Sequence, residues 1–362
     1  MRKSRVMAFS VLNHVKISGI SAVVPEKEIS LLDDKNLYDG DKRRIDRVIK
    51  SSGFLKRRVC DKNTMSSDLC EQAAEKLFED MKIDRESIDA VVFVSYTPDY
   101  LMPATAYVLH KKLGLSENCL ALDMPQACSG FVLGLYQAGM LLNAHCRRVL
   151  LLVGECFSKF TDMFSQNTAP VFGDAGTATL LEYSNDASPM YFNFLTDSNE
   201  YDALICRNGG FRNPPVQGDF YDDGSYRYDS SMDGGRVFEF TVQKIAPSIS
   251  SLLKFANQSV ADIDVFVLHQ ANRFILKNIA EQLNADFAKV PMSTLTNYGN
   301  QCGASIPCAI SDNLSESVSS QSQNMLLSGF GVGLSIANAI VKTNKIYCSG
   351  ICNYKTSFEQ KG

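Results

Sequence analysis

One spacing constrains this chain more than any other feature. Ser95 stands to His269 as Cys128 stands to Cys302: 269 − 95 and 302 − 128 both equal 174. The residues around these anchors follow one order in both places. AVVFVSY (90–96) is a short, β-branched apolar run, which predicts a buried strand, and TAYVLHKKLGL (105–115) predicts a helix after it. CLALDM (119–124) reads as a strand, the residues after Cys128 as a helix, and RRVLLLVGE (147–155) as a third strand. APVFGDAGTATLLEY (169–183) is a glycine turn feeding a fourth. The order then returns: strand DVFVLHQ (264–270), helix FILKNIAEQLNA (274–285), and a turn entering a helix over 293–310. QNMLLSGFGVGLSIANAIV (323–341) reads as two strands joined by a glycine turn. A chain that repeats a β/α order at one interval is two similar halves, packed about a pseudo-twofold axis.

The organisation follows. Val15–Val23 reads as the first strand, and residues 15–185 form the first half. Residues 186–235 differ in texture: NGGFRNPPVQGDFYDDGSY and SSMDGG are rich in Gly, Pro, Asp and Tyr. A long irregular segment in a compact chain is more often a functional lid than a linker, so this one is expected to cover the seam. Residues 236–342 form the second half, and 343–362 are an extension.

Composition narrows the class. The 362 residues carry a net charge of −4, which argues against a nucleic-acid partner. The basic start MRKSRVMAFSVLNHVKISGI is broken by Asn13, His14 and Lys16 before it can act as a signal sequence. FVLGLYQAGMLLNA is too short to span a bilayer, so a soluble, cytoplasmic protein without membrane insertion is expected. Eleven cysteines without a repeated spacing suit a reducing compartment. Cys348 and Cys352 form a C-x3-C pair with no second pair or histidine nearby, so no metal and no cofactor are expected.

The chemistry centres on DMPQACSGFVLGL (123–135), where a thiol precedes an uncharged helical run. A free cysteine is often only a small buried hydrophobe. The duplication supplies the other reading, because equivalent loops of two halves meet at their axis. Cys128 at a helix start, His269 at a strand end in VLHQAN, and Asn300 in NYGNQCGASIP then converge. A helix amino terminus favours the thiolate, which takes an acyl group from a thioester. An imidazole and a carboxamide can both donate to an enolate oxygen. The backbone N–H groups of Cys128 and of Val332, in the turn SGFGVGLS (328–335), form a candidate oxyanion hole. Asn300 after a glycine is otherwise a turn residue. Cys302, the duplication partner of Cys128, reads as structural. Asp174 reads as turn-forming, and His14, His110 and His145 as structural or exposed. Lys56, Arg57 and Arg58 read as a solvated face or as contacts for an acidic carrier protein.

These motifs resemble the thiolase superfamily, and within it β-ketoacyl-acyl-carrier-protein synthase III. ACSGF, HQAN and GN-x3-ASIP are similar to that family's catalytic motifs in order and spacing, and FGDAGTA and GFGVGL to its glycine turns; the likeness runs over about residues 15–342. It implies a duplicated five-layer α-β-α-β-α fold and a homodimer. It implies an acyltransferase in which Cys128 is acylated by an acyl thioester, on coenzyme A or acyl-carrier protein. His269 and Asn300 then activate malonyl-acyl-carrier protein for decarboxylative condensation to a 3-oxoacyl product. Asn272, Arg273 and Lys277 are implied contacts for substrate or carrier. The family's Trp and Arg that clamp the adenine of coenzyme A are replaced here by Arg47 and Ser51, and a further Arg by Gln166; the chain has no Trp. Two other readings stay open, and those departures motivate the first of them. One is a same-fold acyltransferase acting on an alcohol or amine without decarboxylation. The other is a non-catalytic acyl-binding partner subunit.

Overall fold

The structure is a computed structural model, and it describes residues 8–33, 37–160, 170–221 and 226–356. Its strands are β1 (Ala8–Leu12), β2 (Val15–Val24), β3 (Glu28–Ser30), β4 (Lys56–Arg58), β5 (Ala90–Val94), β6 (Leu120–Met124), β7 (Arg148–Glu155) and β8 (Ala175–Tyr183). They continue as β9 (Met190–Thr196), β10 (Leu204–Cys206), β11 (Ser230–Met232), β12 (Val265–Leu268), β13 (Gln323–Gly331), β14 (Ser335–Thr343) and β15 (Tyr347–Asn353). The helices are α1 (Lys42–Ser52), α2 (Ser66–Met81), α3 (Thr105–Lys112), α4 (Gly130–Leu141) and α5 (Gly234–Phe240). After them come α6 (Ala246–Phe255), α7 (Arg273–Leu283), α8 (Ser293–Tyr298), α9 (Ser305–Asn313) and α10 (Ser315–Ser320).

Two mixed sheets carry the duplication. The first has the order β15-β2-β8-β7-β5-β6 and the second β1-β9-β14-β13-β12. In each, a parallel pair (β5 with β7, β12 with β13) leads into antiparallel neighbours, β8 then β2 and β14 then β9. Strands such as β5, AVVFV, are buried along their whole length, which explains their unbroken apolar sequence.

The layers follow from where the apolar faces go. α4 and α9 lie between the two sheets and share one core with both. α4 is apolar nearly all round because it is covered on both sides. α2 and α3 cover the outer face of the first sheet, and α6 and α7 that of the second. This is the five-layer α-β-α-β-α arrangement of the thiolase fold.

Four expectations need correction. The first strand is β1, not Val15–Val23; it leaves the first half and pairs antiparallel with β9. The segment 186–235 is not wholly irregular, because β9 within it belongs to the second sheet and β10 pairs with β11. The extension carries β15, which runs parallel to β2 and closes the outer edge of the first sheet. The turn expected at the start of 293–310 includes a short helix, α8.

Gly176 in β8 shows how closely the layers approach. A Cβ placed there would stand 2.4 Å from the Cys70 nitrogen and 2.4 Å from the Leu69 carbonyl carbon, both backbone atoms of α2. Neither can move aside as a side-chain tip can. Overpacking a core typically costs about 1–3 kcal/mol. Gly176→Ala is therefore expected to destabilise by about 3 kcal/mol and to lower the thermal midpoint by about 4 °C. A melting curve that overlays the wild type would show that α2 does not rest on β8 this closely.

Candidate active site

The site forms where the first turns leading into α4 and α9 meet. Cys128 lies in the turn between β6 and α4, and Cys302 in the corresponding turn before α9. Pseudo-symmetry brings the two turns into contact: a Cβ on Gly303 would stand 2.8 Å from the Ala127 carbonyl oxygen. The turn joining β13 to β14 closes over them. Gly331 holds φ +151, and a Cβ there would lie 2.7 Å from Cys128 Cβ and 2.8 Å from its Sγ. Only glycine lets the backbone pass so near the sulfur.

His269 extends from the end of β12 and is buried. Its Nδ1 is 2.8 Å from Ser305 Oγ, and that oxygen accepts from the Gln270 N–H at 3.4 Å. With Nδ1 engaged, Nε2 is the nitrogen left for the Cys128 sulfur, to which His269 hydrogen-bonds. Asn300 precedes α9 and is also buried. Its Oδ1 accepts from the Cys302 N–H at 2.8 Å, which fixes the carboxamide flip and leaves Nδ2 as a free donor edge. Its backbone is pinned by bonds from its own N–H to the Val171 oxygen (2.8 Å) and from the Gly173 N–H to its oxygen (3.0 Å).

These neighbours set the state of the nucleophile. The Cys128 thiol is held well below the ordinary thiol range. The largest cause is a hydrogen bond from Cys302; the charge and bond of His269 and the Val332 N–H add to it, while burial opposes it. Cys302 moves the other way: burial first, then its bond to Cys128 and the charge there, push its thiol well up. The two shifts oppose each other and favour Cys128 as the sulfur that carries the charge and Cys302 as the one that keeps its proton. Cys302 is not the merely structural residue that the sequence suggested.

The pair opens onto a cavity of about 340 Å³. Tyr96, Phe157, Phe160 and Phe172 line it from the first half, and Val332 and Gly333 from the second. The segment 186–235 contributes Tyr201, Leu204, Ile205, Cys206 and Ser230–Met232. Nearly all of this lining is apolar, so the cavity fits an acyl chain better than a polar substrate. Behind Tyr96, the buried Glu155 accepts from the Tyr96 N–H (3.1 Å), Ser95 Oγ (3.2 Å) and Thr97 Oγ1 (2.9 Å). Burial pushes its carboxyl up to about 8.

Two stretches match the profiles of one family: residues 122–199 match 3-oxoacyl-[acyl-carrier-protein] synthase III, and residues 253–343 match its C-terminal part. A Campylobacter jejuni protein named as a 3-oxoacyl-[acyl-carrier-protein] synthase 3 is 33% identical over 348 residues, covering 94% of this chain and 97% of that protein. The chain belongs to the 3-oxoacyl-[acyl-carrier-protein] synthase III family. A Streptococcus uberis member named β-ketoacyl-[acyl-carrier-protein] synthase III is 33% identical and covers 91% of this chain and 100% of its own length. The crystal structure of a Burkholderia xenovorans 3-oxoacyl-(acyl-carrier protein) synthase superposes with a TM-score of 0.89 at 34% identity, covering 96% of this chain and 99% of that one. Members of this family are acyltransferases of the condensing type.

Other sequence candidates fall further out. Arg47 and Ser51 lie on the exposed face of α1, and each donates to a carbonyl of its own helix, Arg43 and Val48. Gln166 lies outside the described residues. Asn272 caps α7 by accepting from the Ile275 N–H at 2.8 Å. Arg273 reaches Thr296 Oγ1 at 3.4 Å, and Lys277 is exposed. The Lys56–Arg58 run is not a free basic face. Lys56 pairs with Glu28 at 2.8 Å, Arg58 pairs with Glu28 at 3.4 Å, and Arg57 is buried. Sequence reasoning missed Cys302 and Ser305, although the 174-residue interval (302 − 128) already paired Cys302 with the nucleophile.

The sulfur–sulfur contact gives a test. Cys302→Ala removes the largest cause of the low Cys128 pKa, so that pKa should rise. The pH profile of Cys128 alkylation by iodoacetamide is then expected to shift to higher pH, with slower alkylation at mildly acidic pH and little change in alkaline solution. Superimposable profiles for the two proteins would show that His269 and the Val332 N–H suffice.

Proposed function

We propose that Cys128 is the acylated nucleophile of a decarboxylating condensation, with His269 and Asn300 as the donors that stabilise the enolate. The observation that carries this reading is that His269 bonds to Cys128 and Asn300 to the Cys302 N–H, beside an apolar cavity that both cysteines line, with Asn300 Nδ2 and His269 Nε2 left as donors. The Cys128 thiolate attacks a thioester carbonyl, and the oxyanion forms beside the N–H groups of Cys128 and Val332. Loss of the donor's thiolate leaves an acyl-cysteine, whose chain lies along Phe157 and Phe172. The malonyl thioester then binds with its carbonyl oxygen toward Nε2 and Nδ2. As carbon dioxide leaves, these donors hold the enolate, and its carbon attacks the acyl-cysteine. Collapse releases the 3-oxoacyl thioester and regenerates the thiolate.

The two half-reactions separate by mutation. Cys128→Ala is expected to gain no acyl mass from an acyl thioester. Asn300→Ala should still acylate, while its malonyl decarboxylation falls by about 10²–10³-fold, the usual loss of one oxyanion donor. Intact-protein mass spectrometry and release of labelled carbon dioxide read the two steps. Acylation without any carbon dioxide release in the wild type would favour transfer to an alcohol or amine instead. Acylation that persists in Cys128→Ala would overturn the nucleophile.

The donor is proposed to be a carrier-protein thioester. α1 presents Lys42, Arg43, Arg44, Arg47 and Lys50 to solvent, and it packs on α7, where Lys277 is also exposed. This basic surface stands on a chain of net charge −4, and it matches an acidic carrier. Arg47 and Ser51 offer coenzyme A no indole and only one cation. The same acyl group is therefore expected to reach Cys128 faster from the carrier than from coenzyme A, with salt narrowing the gap. Arg43→Glu, on the same exposed surface but away from the two coenzyme A positions, should slow the carrier donor by several-fold and leave the coenzyme A donor nearly unchanged. Equal rates for both donors at low ionic strength would contradict the assignment.

A further inference from the structure

A second thiol pair lies behind the wall of the acyl cavity. Cys156 follows β7 and directly precedes Phe157, whose ring lines the cavity. Cys60 follows β4 by two residues. The Cys156 thiol donates to Cys60 Sγ across 3.4 Å. A buried carboxylate holds the two loops in register. Asp174 accepts from the Cys60 N–H at 2.7 Å, from the Ser158 N–H at 2.9 Å and from Ser158 Oγ at 2.5 Å.

The arrangement is asymmetric. Cys156 is buried, and its thiol is pushed well up, first by the bond it donates to Cys60 and then by burial. Cys60 is half-buried and accepts that bond, so it is the sulfur a small oxidant reaches. An accessible sulfur beside a resolving thiol is the arrangement of a redox-responsive pair. A disulfide needs the sulfurs about 2.0 Å apart, so the gap must close by about 1.4 Å, which side-chain rotation can supply.

The cluster also offers Asp174 as a third ligand atom, all three lying within 4.8 Å of one another. A cation is the poorer occupant. The Asp174 oxygens already accept three hydrogen bonds. The Lys159 ammonium, held by the Thr64 oxygen at 2.6 Å and the Lys62 oxygen at 3.2 Å, acts electrostatically on Cys156 and Asp174 and competes with a metal.

We propose that Cys60 and Cys156 are a reversible redox modification site that closes to a disulfide when a hydroperoxide reaches Cys60. The Cys60 thiolate attacks one peroxide oxygen; an S–O bond forms, the O–O bond breaks, and the other oxygen leaves as water after taking a proton. The Cys156 sulfur, giving up its proton, then attacks Cys60 Sγ. The S–S bond forms, the S–O bond breaks, and a second water leaves. Two thiols have lost two electrons and two protons, and hydrogen peroxide has been reduced to two waters. A dithiol reductant reverses the step by exchange.

The experiment uses full-length Cys128→Ser protein, so that the catalytic thiolate does not consume the oxidant. After treatment with hydrogen peroxide and quenching, free thiols are alkylated with iodoacetamide and the protein is digested without reduction. The expected result is a Cys60–Cys156 cross-linked peptide, an intact mass lower by two hydrogens, and two fewer alkylated thiols per chain. All three are to vanish on reduction with dithiothreitol and in a Cys60→Ser variant. Peroxide-treated protein in which both cysteines still alkylate, or in which Cys60 stops at the sulfinic acid, overturns the proposal. So does zinc retained on these thiols through native mass spectrometry. Should Cys128→Ser fail to fold, the same peptide is sought in wild-type protein, where its absence has the same meaning.

Discussion

Two apolar helices that need cover on every side dictate the rest of this molecule. α4 carries no charge along its length, and α9 is buried over most of its own. One sheet covers one face of such a pair and leaves the other wet. A second sheet on the far side removes that cost, and the outer helices then cover what the sheets leave open. The turns entering α4 and α9 meet at the centre of the sandwich. A thiol placed there is far from bulk water but close to several fixed donors. The same constraint therefore gives the fold its core and the nucleophile its environment.

Inside that environment, hydrogen bonds do what solvent does elsewhere. Cys302, His269 and the Val332 N–H offset the burial that would otherwise keep Cys128 protonated. Ser305 and the Cys302 N–H each fix one edge of His269 and of Asn300 and leave the other edge available. None of these groups must reorient when charge develops, which is how preorganised donors lower a barrier. Glu155 shows the opposite balance: its three donors do not outweigh burial, and its carboxyl stays up near 8.

Much of this was legible in the sequence, for reasons that can be named. β5, β12 and the middle of β7 are short, unbroken apolar runs and α4 is a longer one, and each is buried in an environment that suits one secondary structure. Cys128, His269 and Asn300 stood out because a fixed interval ordered the loops that carry them. β1 and β15 did not stand out. They are edge strands with half-exposed, mixed sequences, and only tertiary pairing makes them strands. The Lys56–Arg58 run misled because charge alone says nothing of partners; Glu28 lies on the neighbouring strand, β3. Cys302 was misjudged in spite of the interval. Residues related by a twofold axis are neighbours when they lie on it, so the counterpart of a nucleophile is a candidate for contact with it.

The place of β15 bears on how the chain is made. Synthesis proceeds at about 5–20 residues per second, and early segments begin to fold while later ones are still on the ribosome. β2 is complete by residue 24, but the strand that seals its outer edge spans residues 347–353. Throughout elongation the nascent first sheet holds an open row of backbone donors and acceptors, the kind of edge to which a neighbouring nascent chain can add. β2 therefore stays unshielded from other polypeptides until residues 347–353 have been synthesised, long after the rest of its sheet is available to pair.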